Sequence, residues 1–196
     1  MKIISIMKKI TILLCMLVGM SVYAKKASIG TFEDWNDLDY VEIAQLVNAG
    51  DYTTLYIVPV DESNVVFPDK SDNKYPALVN ALANFRPIMQ KEFTGAYKNL
   101  RVELSDGKVN PGEKELMLAV KIEEINMGER ALRVWVGFGA GGQSVQISAT
   151  LSDNSGKVFY LKQRRLSVKM TNYQSCLESE FEELSEDMVT VLKNMK

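Results

Sequence analysis

The chain has 196 residues, with 23 basic against 25 acidic side chains and no histidine. This balance offers no basic excess for nucleic acid, and the missing histidine removes the commonest general base and metal ligand together. Neither a metal nor a cofactor is expected.

Residues 1–24 read as a secretory signal peptide. Lys2, Lys8 and Lys9 supply the positive start, "ITILLCMLVGM" the apolar run, and "SVYA" the small-residue end, so cleavage is expected after Ala24. The run is shorter than the roughly 20 residues a spanning helix needs, so no transmembrane anchor is expected in the mature chain. A lipoprotein would need a small residue before its cysteine, but Cys15 follows Leu14. Loss of the leader leaves 20 basic and 25 acidic residues, with Cys176 as the remaining thiol. Without a second cysteine no intrachain disulfide forms. Its place on the apolar side of a helix predicts a buried structural cysteine, with pairing between chains as the alternative.

Residues 25–36, "KKASIGTFEDWN", lack periodicity and predict an extended lead-in from which Phe32 and Trp35 can dock. Residues 37–196 are expected to form one α+β domain, a mixed, largely antiparallel sheet with amphipathic helices packed on it. "DLDYVEIAQLVNAGD" places Leu38, Val41, Leu46 and Ile43 or Val47 on one side of a short helix that stops at Asn48–Asp51. "TTLYIVPV" reads as a buried strand and residues 61–74 as a loop with an apolar island at 65–67. In "YPALVNALANFRPIMQKEFTGAY", Leu78, Leu82, Phe85, Met89 and Phe93 recur at helical spacing, while Pro87 predicts a kink or a break. "NLRVELSDG" is a short strand.

From Glu115 the period becomes two. "ELMLAVKIEEI", "LRVWVGF", "SVQISATL" and "KVFYLKQRRLSVKM" predict four strands in a meander, the third with one wet face, and "DNSG" predicts a hairpin turn. The C-terminal helix carries Leu177, Phe181, Leu184, Met188 and Met195 on one stripe, and the acids of 178–187 on a solvated face.

Within "RVWVGFGAGGQSVQI", Gly137, Gly139 and Gly142 spell G-x-G-x-x-G. A dinucleotide loop needs a helix next, but "QSVQISATL" alternates as a strand, and no acid follows at the ribose position. A kinase-type loop between strands lacks its lysine and catalytic loop. Glycines in a strand permit a bend or a close backbone approach, or leave amides exposed for a partner. Gly137, Phe138, Gly139, Gly141 and Gly142 are therefore a candidate bend or interaction motif. Lys162, Arg164 and Arg165 form a compact basic cluster; Lys162 and Arg164 share one strand face and Arg165 takes the other. These basic residues either blunt a sheet edge or contact an acidic envelope polymer.

The run from Lys114 to Arg165, with "GERALR", "VGFGAG" and "DNSGKV", resembles an uncharacterised family of exported bacterial proteins that are often lipoproteins. More distantly it is similar to envelope domains of the TolB amino-terminal and CsgG type. The resemblance implies a noncatalytic module in which a sheet carries helices. It transfers no catalytic residues, and the missing lipobox departs from tethered members. The expected function is a noncatalytic binding or assembly module of the bacterial cell envelope. Its location would be the periplasm, with peripheral association with the outer membrane as a further expectation, and its partner an envelope protein or component. The alternative is an enzyme acting on an envelope glycan or peptide through paired carboxylates.

Overall fold

The computed structural model describes residues 27–35, 38–127, 143–167 and 172–195. In chain order they form β1 (Gly30–Trp35), β2 (Leu38–Ile43), a 3-10 turn (Ala49–Asp51), β3 (Thr54–Ile57) and α1 (Lys74–Ala96). β4 (Arg101–Leu104), β5 (Glu115–Asn126), β6 (Gln143–Asp153), β7 (Gly156–Ser167) and α2 (Tyr173–Lys193) follow. The seven strands make one sheet in the order β1-β2-β7-β6-β5-β3-β4. Its β3, β4 and β5 run parallel and every other pairing is antiparallel. The fold is α+β, with both helices on the sheet. Among the described residues no helix is long and apolar enough to cross a membrane.

The alternating sequence sets the core. Leu116, Leu118, Val120 and Ile122 of β5 face the same side as Val145, Ile147, Ala149 and Leu151 of β6, and all eight are buried. The register places Leu118 beside Leu151, Val120 beside Ala149 and Ile122 beside Ile147. Phe159 and Leu161 of β7 and Val41 and Ile43 of β2 continue this face. The helices close over it. Phe85 of α1 and Phe181 of α2 stack at 4.1 Å with an 11° tilt, worth about 1 kcal/mol beyond the area they bury.

Cross-links between the helices advance together, Asn80 to Gln174, Asn84 to Glu178 and Lys91 to Glu182. The helices therefore run parallel. Their aligned dipoles do not attract, so the shared apolar seam holds the pair. Cys176 is buried in α2.

The structure bears on several expectations. The helix expected from Asp37 is the strand β2, paired with β1 on one side and β7 on the other. Val41 and Ile43 fit a period of two, and Leu46, placed in the helical stripe, is 48% exposed. Residues of the expected lead-in form β1, with Trp35 buried. Pro87 does not break the helix, which is continuous over 23 residues. Pro87 and Ala83 both lie exposed, so the Ala83 carbonyl that loses its N–H partner faces solvent. In the meander, β5 pairs directly with β6 and β6 with β7 across a two-residue turn; the expected strand at 132–138 lies outside the described residues. The expected leader lies outside them as well.

Candidate binding surface

The helices occupy one face of the sheet. The other face presents the alternate residues: Met117, Ala119, Lys121 and Glu123 of β5, Ser144, Gln146, Ser148, Thr150 and Ser152 of β6, and Tyr160, Lys162 and Arg164 of β7. Tyr40 and Glu42 of β2 extend it. Among the described residues no element lies across this face. Its floor is nevertheless less wet than the alternation predicts, with Ser144 at 2% and Ser148 at 8% exposure. β6 is central, and its Ser144 and Ser148 hydroxyls are bonded to Arg164 of β7 and Glu123 of β5.

The cross-strand register fixes the neighbours. Lys121, Ser148, Lys162 and Tyr40 form one row across four strands, and Glu124, Gln146 and Arg164 form the next. Ser148 donates its hydroxyl proton to Glu123 at 2.7 Å, while Asn64 donates to the other Glu123 oxygen at 3.3 Å. Lys121 stands 3.9 Å from that carboxylate. Arg164 donates to the Ser144 hydroxyl at 3.3 Å, and its backbone N–H donates to Asp39 at 2.7 Å. The rings of Tyr40 and Tyr160 meet edge to face at 5.9 Å. Gln146, Thr150 and Lys162 make no side-chain hydrogen bond among the described residues.

The expected basic cluster is thereby divided. Lys162 and Arg164 are exposed on the open face, whereas Arg165 points to the helices and binds Asp187 of α2 through 2.5, 2.6 and 3.0 Å hydrogen bonds. Burial works against the Arg165 charge, but the bonds to Asp187 outweigh it and hold the guanidinium above its ordinary value. For Asp187, burial dominates and pushes the carboxyl up against the pull of Arg165, with Glu183 and Glu186 adding to the rise. Arg165 ties the sheet to the helix through Asp187. The acids of 178–187 are likewise not all on a solvated face, since Glu180 is 2% exposed and Asp187 is engaged under the helix.

A second polar centre closes the β6–β7 turn. Asp153 accepts from the Ser155 amide at 2.8 Å, the Ser155 hydroxyl at 2.6 Å and the Gly156 amide at 3.1 Å, which is how "DNSG" makes its hairpin. Gly156, at φ 129°, takes a conformation that side chains resist. The same carboxylate accepts from Tyr52 at 2.8 Å and Gln45 at 3.3 Å, pinning the β2–β3 connection to the hairpin. Burial opposes the Asp153 charge, but hydrogen bonds from Ser155, Tyr52 and Gln45 prevail and lower its pKa. Tyr52 is pushed up to about 12 by burial and by Asp153.

Among the described residues, clefts lie between the helices at both of their ends. One, of about 470 Å³, sits at their N-terminal ends among Asn73, Asn80, Asn172, Gln174 and Glu178. The other, of about 380 Å³, sits at their C-terminal ends, where Glu92, Glu186 and Lys193 meet. Glu92 is already ion-paired to Lys91 at 3.3 Å. Among the described residues no group of three or more His, Cys, Asp or Glu side chains is placed to hold a metal.

Gly137, Phe138, Gly139, Gly141 and Gly142 lie outside the described residues. Sequence reasoning missed Tyr40, Tyr160, Lys121 and Gln146 as neighbours of the basic residues. The alternation of "SVQISATL" marked which side chains share a face but carried no signal for which strands flank it.

No curated protein matches the chain. Among solved structures it is similar to the PelC dodecamer from Paraburkholderia phytofirmans, at 12% identity and a TM-score of 0.46 over 79% of this chain and 94% of that one. It is similar to protein XCC0632 from Xanthomonas campestris, at 11% identity and 0.43 over 72% and 84%. A third is lipoprotein GNA1162 from Neisseria meningitidis, at 13% identity and 0.33 over 72% and 99%. From the turn before α1 to the middle of β7, residues 70–160 match the model of a family described as a domain of unknown function, DUF4410.

Proposed function

We propose that the chain is an exported, noncatalytic binding or assembly module of the bacterial cell envelope, working in the periplasm through the open face of its sheet. The observation that carries this is the uncommitted polarity of that face. Lys162, Gln146 and Thr150 stand on adjacent strands without side-chain hydrogen bonds among the described residues, on the side opposite both helices. The N-terminal lysines, apolar run and small-residue end support export. A broad polar sheet face suits a partner that spreads over it better than a small substrate, which a concave pocket would bury.

Site-specific photocrosslinking in the native cell tests this. A photoreactive residue at Lys162 or Thr150 is expected to give a discrete adduct, and one at Thr94 on the outer side of α1 is not. Adducts from Thr94 alone, or none from the open face, would overturn the assignment.

A further inference from the structure

We infer that Asp106–Gly107, in the exposed turn after β4, is a modification site at which the aspartate isomerises to isoaspartate through a cyclic imide. In the whole sequence this is the one place where glycine follows an aspartate or asparagine, and Asn154–Ser155 in the β6–β7 hairpin is its rival in composition. The reaction needs the amide nitrogen of the following residue to reach the side-chain carbonyl carbon, and a main chain free to turn until the two meet. Structure separates the two dipeptides on both counts.

Asp106, Gly107 and Lys108 are all exposed, outside any helix or strand. The Asp106 carboxyl makes no hydrogen bond or ion pair among the described residues. A Cβ placed on Gly107 would meet nothing within 4 Å, so no neighbour limits its rotation or the approach to its nitrogen. The Gly107 amide donates to the Ser105 hydroxyl at a long 3.3 Å, and that hydroxyl donates back to the Gly107 carbonyl at 2.9 Å. Ser105 itself is fixed, since its amide donates to Ile57 at 3.0 Å and its carbonyl accepts from Arg86. The Ser155 amide is held far more firmly. It donates to the Asp153 carboxylate at 2.8 Å, a charge-assisted bond, and the Gly156 amide donates to the same oxygen at 3.1 Å. Pairing of Asp153 with Gly156 closes that turn on both sides. The hairpin shields Asn154, and nothing equivalent shields Asp106.

In the covalent step the Gly107 nitrogen bonds to Cγ of the protonated Asp106 carboxyl. The carboxyl hydroxyl leaves with the amide proton as water, and the imide closes. Water then reopens the ring. Breaking the bond from nitrogen to Cγ restores aspartate, whereas breaking the bond from nitrogen to the main-chain carbonyl carbon routes the chain through Cγ and frees the α-carboxylate. One water leaves and one enters, so the mass is unchanged and the main chain gains a methylene. The connection from β4 to β5 absorbs it, because residues 106–108, 110 and 112–114 are exposed. The freed α-carboxylate is the substrate class of isoaspartyl carboxyl methylation.

The test incubates the folded mature chain in warm, mildly acidic buffer and follows isoaspartate by transfer of a labelled methyl group from an isoaspartyl methyltransferase, with peptide mapping to place the label. Label is expected at residue 106 and not at residue 154. Gly107→Ala is expected to slow its appearance about tenfold, since a Cβ hinders the nitrogen and narrows its rotation. Ser105→Ala, which releases the Gly107 amide, is expected to speed it a few-fold. Asp153→Ala is expected to open Asn154 to the same chemistry, read as a deamidated hairpin peptide that the unaltered chain does not give. The melting curve is expected to stay the same before and after isomerisation. Absence of label at residue 106, or conversion of Asn154 in the unaltered chain as fast as that of Asp106, would overturn the assignment. A Ser105→Ala rate equal to that of the unaltered chain would overturn the restraint given to its hydroxyl.

Discussion

The two faces of β6 differ by one residue in register and by almost everything else. Val145, Ile147, Ala149 and Leu151 are sealed by two helices, and their contribution is apolar area removed from water. Gln146, Thr150 and Ser152 stay partly open, while Ser144 and Ser148 are buried and bonded to Arg164 and Glu123. Arg164 and Arg165 carry the contrast into charge. Adjacent in sequence, one reaches a hydroxyl on the open face, and the other forms a bidentate pair beneath α2. A strand therefore assigns structural and surface duties by parity, so identical residues next to one another do different work.

The contrast can be broken most strongly at the helix seam. Phe181→Ala removes one ring of the Phe85 stack from a position with no exposure, and is expected to cost roughly 3–5 kcal/mol, read as a lower midpoint in denaturant. A loss below 1 kcal/mol would mean that the seam does not hold the helices. Next comes the arginine pair. Arg165→Ala strands Asp187 and is expected to cost about 2–3 kcal/mol, less than for a fully buried pair because the Arg165 side chain remains 25% exposed. Arg164→Ala is expected to change stability by less than about 0.5 kcal/mol. Equal effects in thermal melts would erase the distinction between the faces.

The effect at the hairpin is smaller than that of Arg165→Ala and depends on pH. Because Asp153 has a lowered pKa in the folded state, its stabilisation is present above the ordinary value of 3.8 and is lost as pH falls through the folded value. Asp153→Asn is expected to cost about 1–2 kcal/mol at neutral pH, and its deficit is expected to shrink below pH 3.8. A deficit that stays constant across that range would show that the carboxylate charge is not what holds Tyr52 and Gln45.

Much of the fold was legible because period and parity are local. The core faces of β5, β6 and the C-terminal helix follow directly from the spacing of Leu, Val, Ile and Phe, and "DNSG" announces its turn. β2 was not legible. Val41 and Ile43 fit a strand and Leu38 and Leu46 allow a helix, and the partner that decides between them is β7, more than a hundred residues away. That the helix runs unbroken through Pro87 was not legible for a related reason, since the cost of a proline depends on whether the freed carbonyl meets water.

The open face was legible in one respect. Alternation placed Lys162 and Arg164 together and Arg165 apart, but it could not show that Asp187 waits for Arg165, or that Tyr40, Lys121 and Gln146 surround the other two. The sequence alone determined the α+β class, the polar and apolar sides of each long strand, and the basic residues that could act together. Strand order, parallel helices and the neighbours of each charge were decided by tertiary structure. Side-chain direction repeats every two residues along a strand, whereas the groups meeting across strands and under helices come from positions that no local period connects.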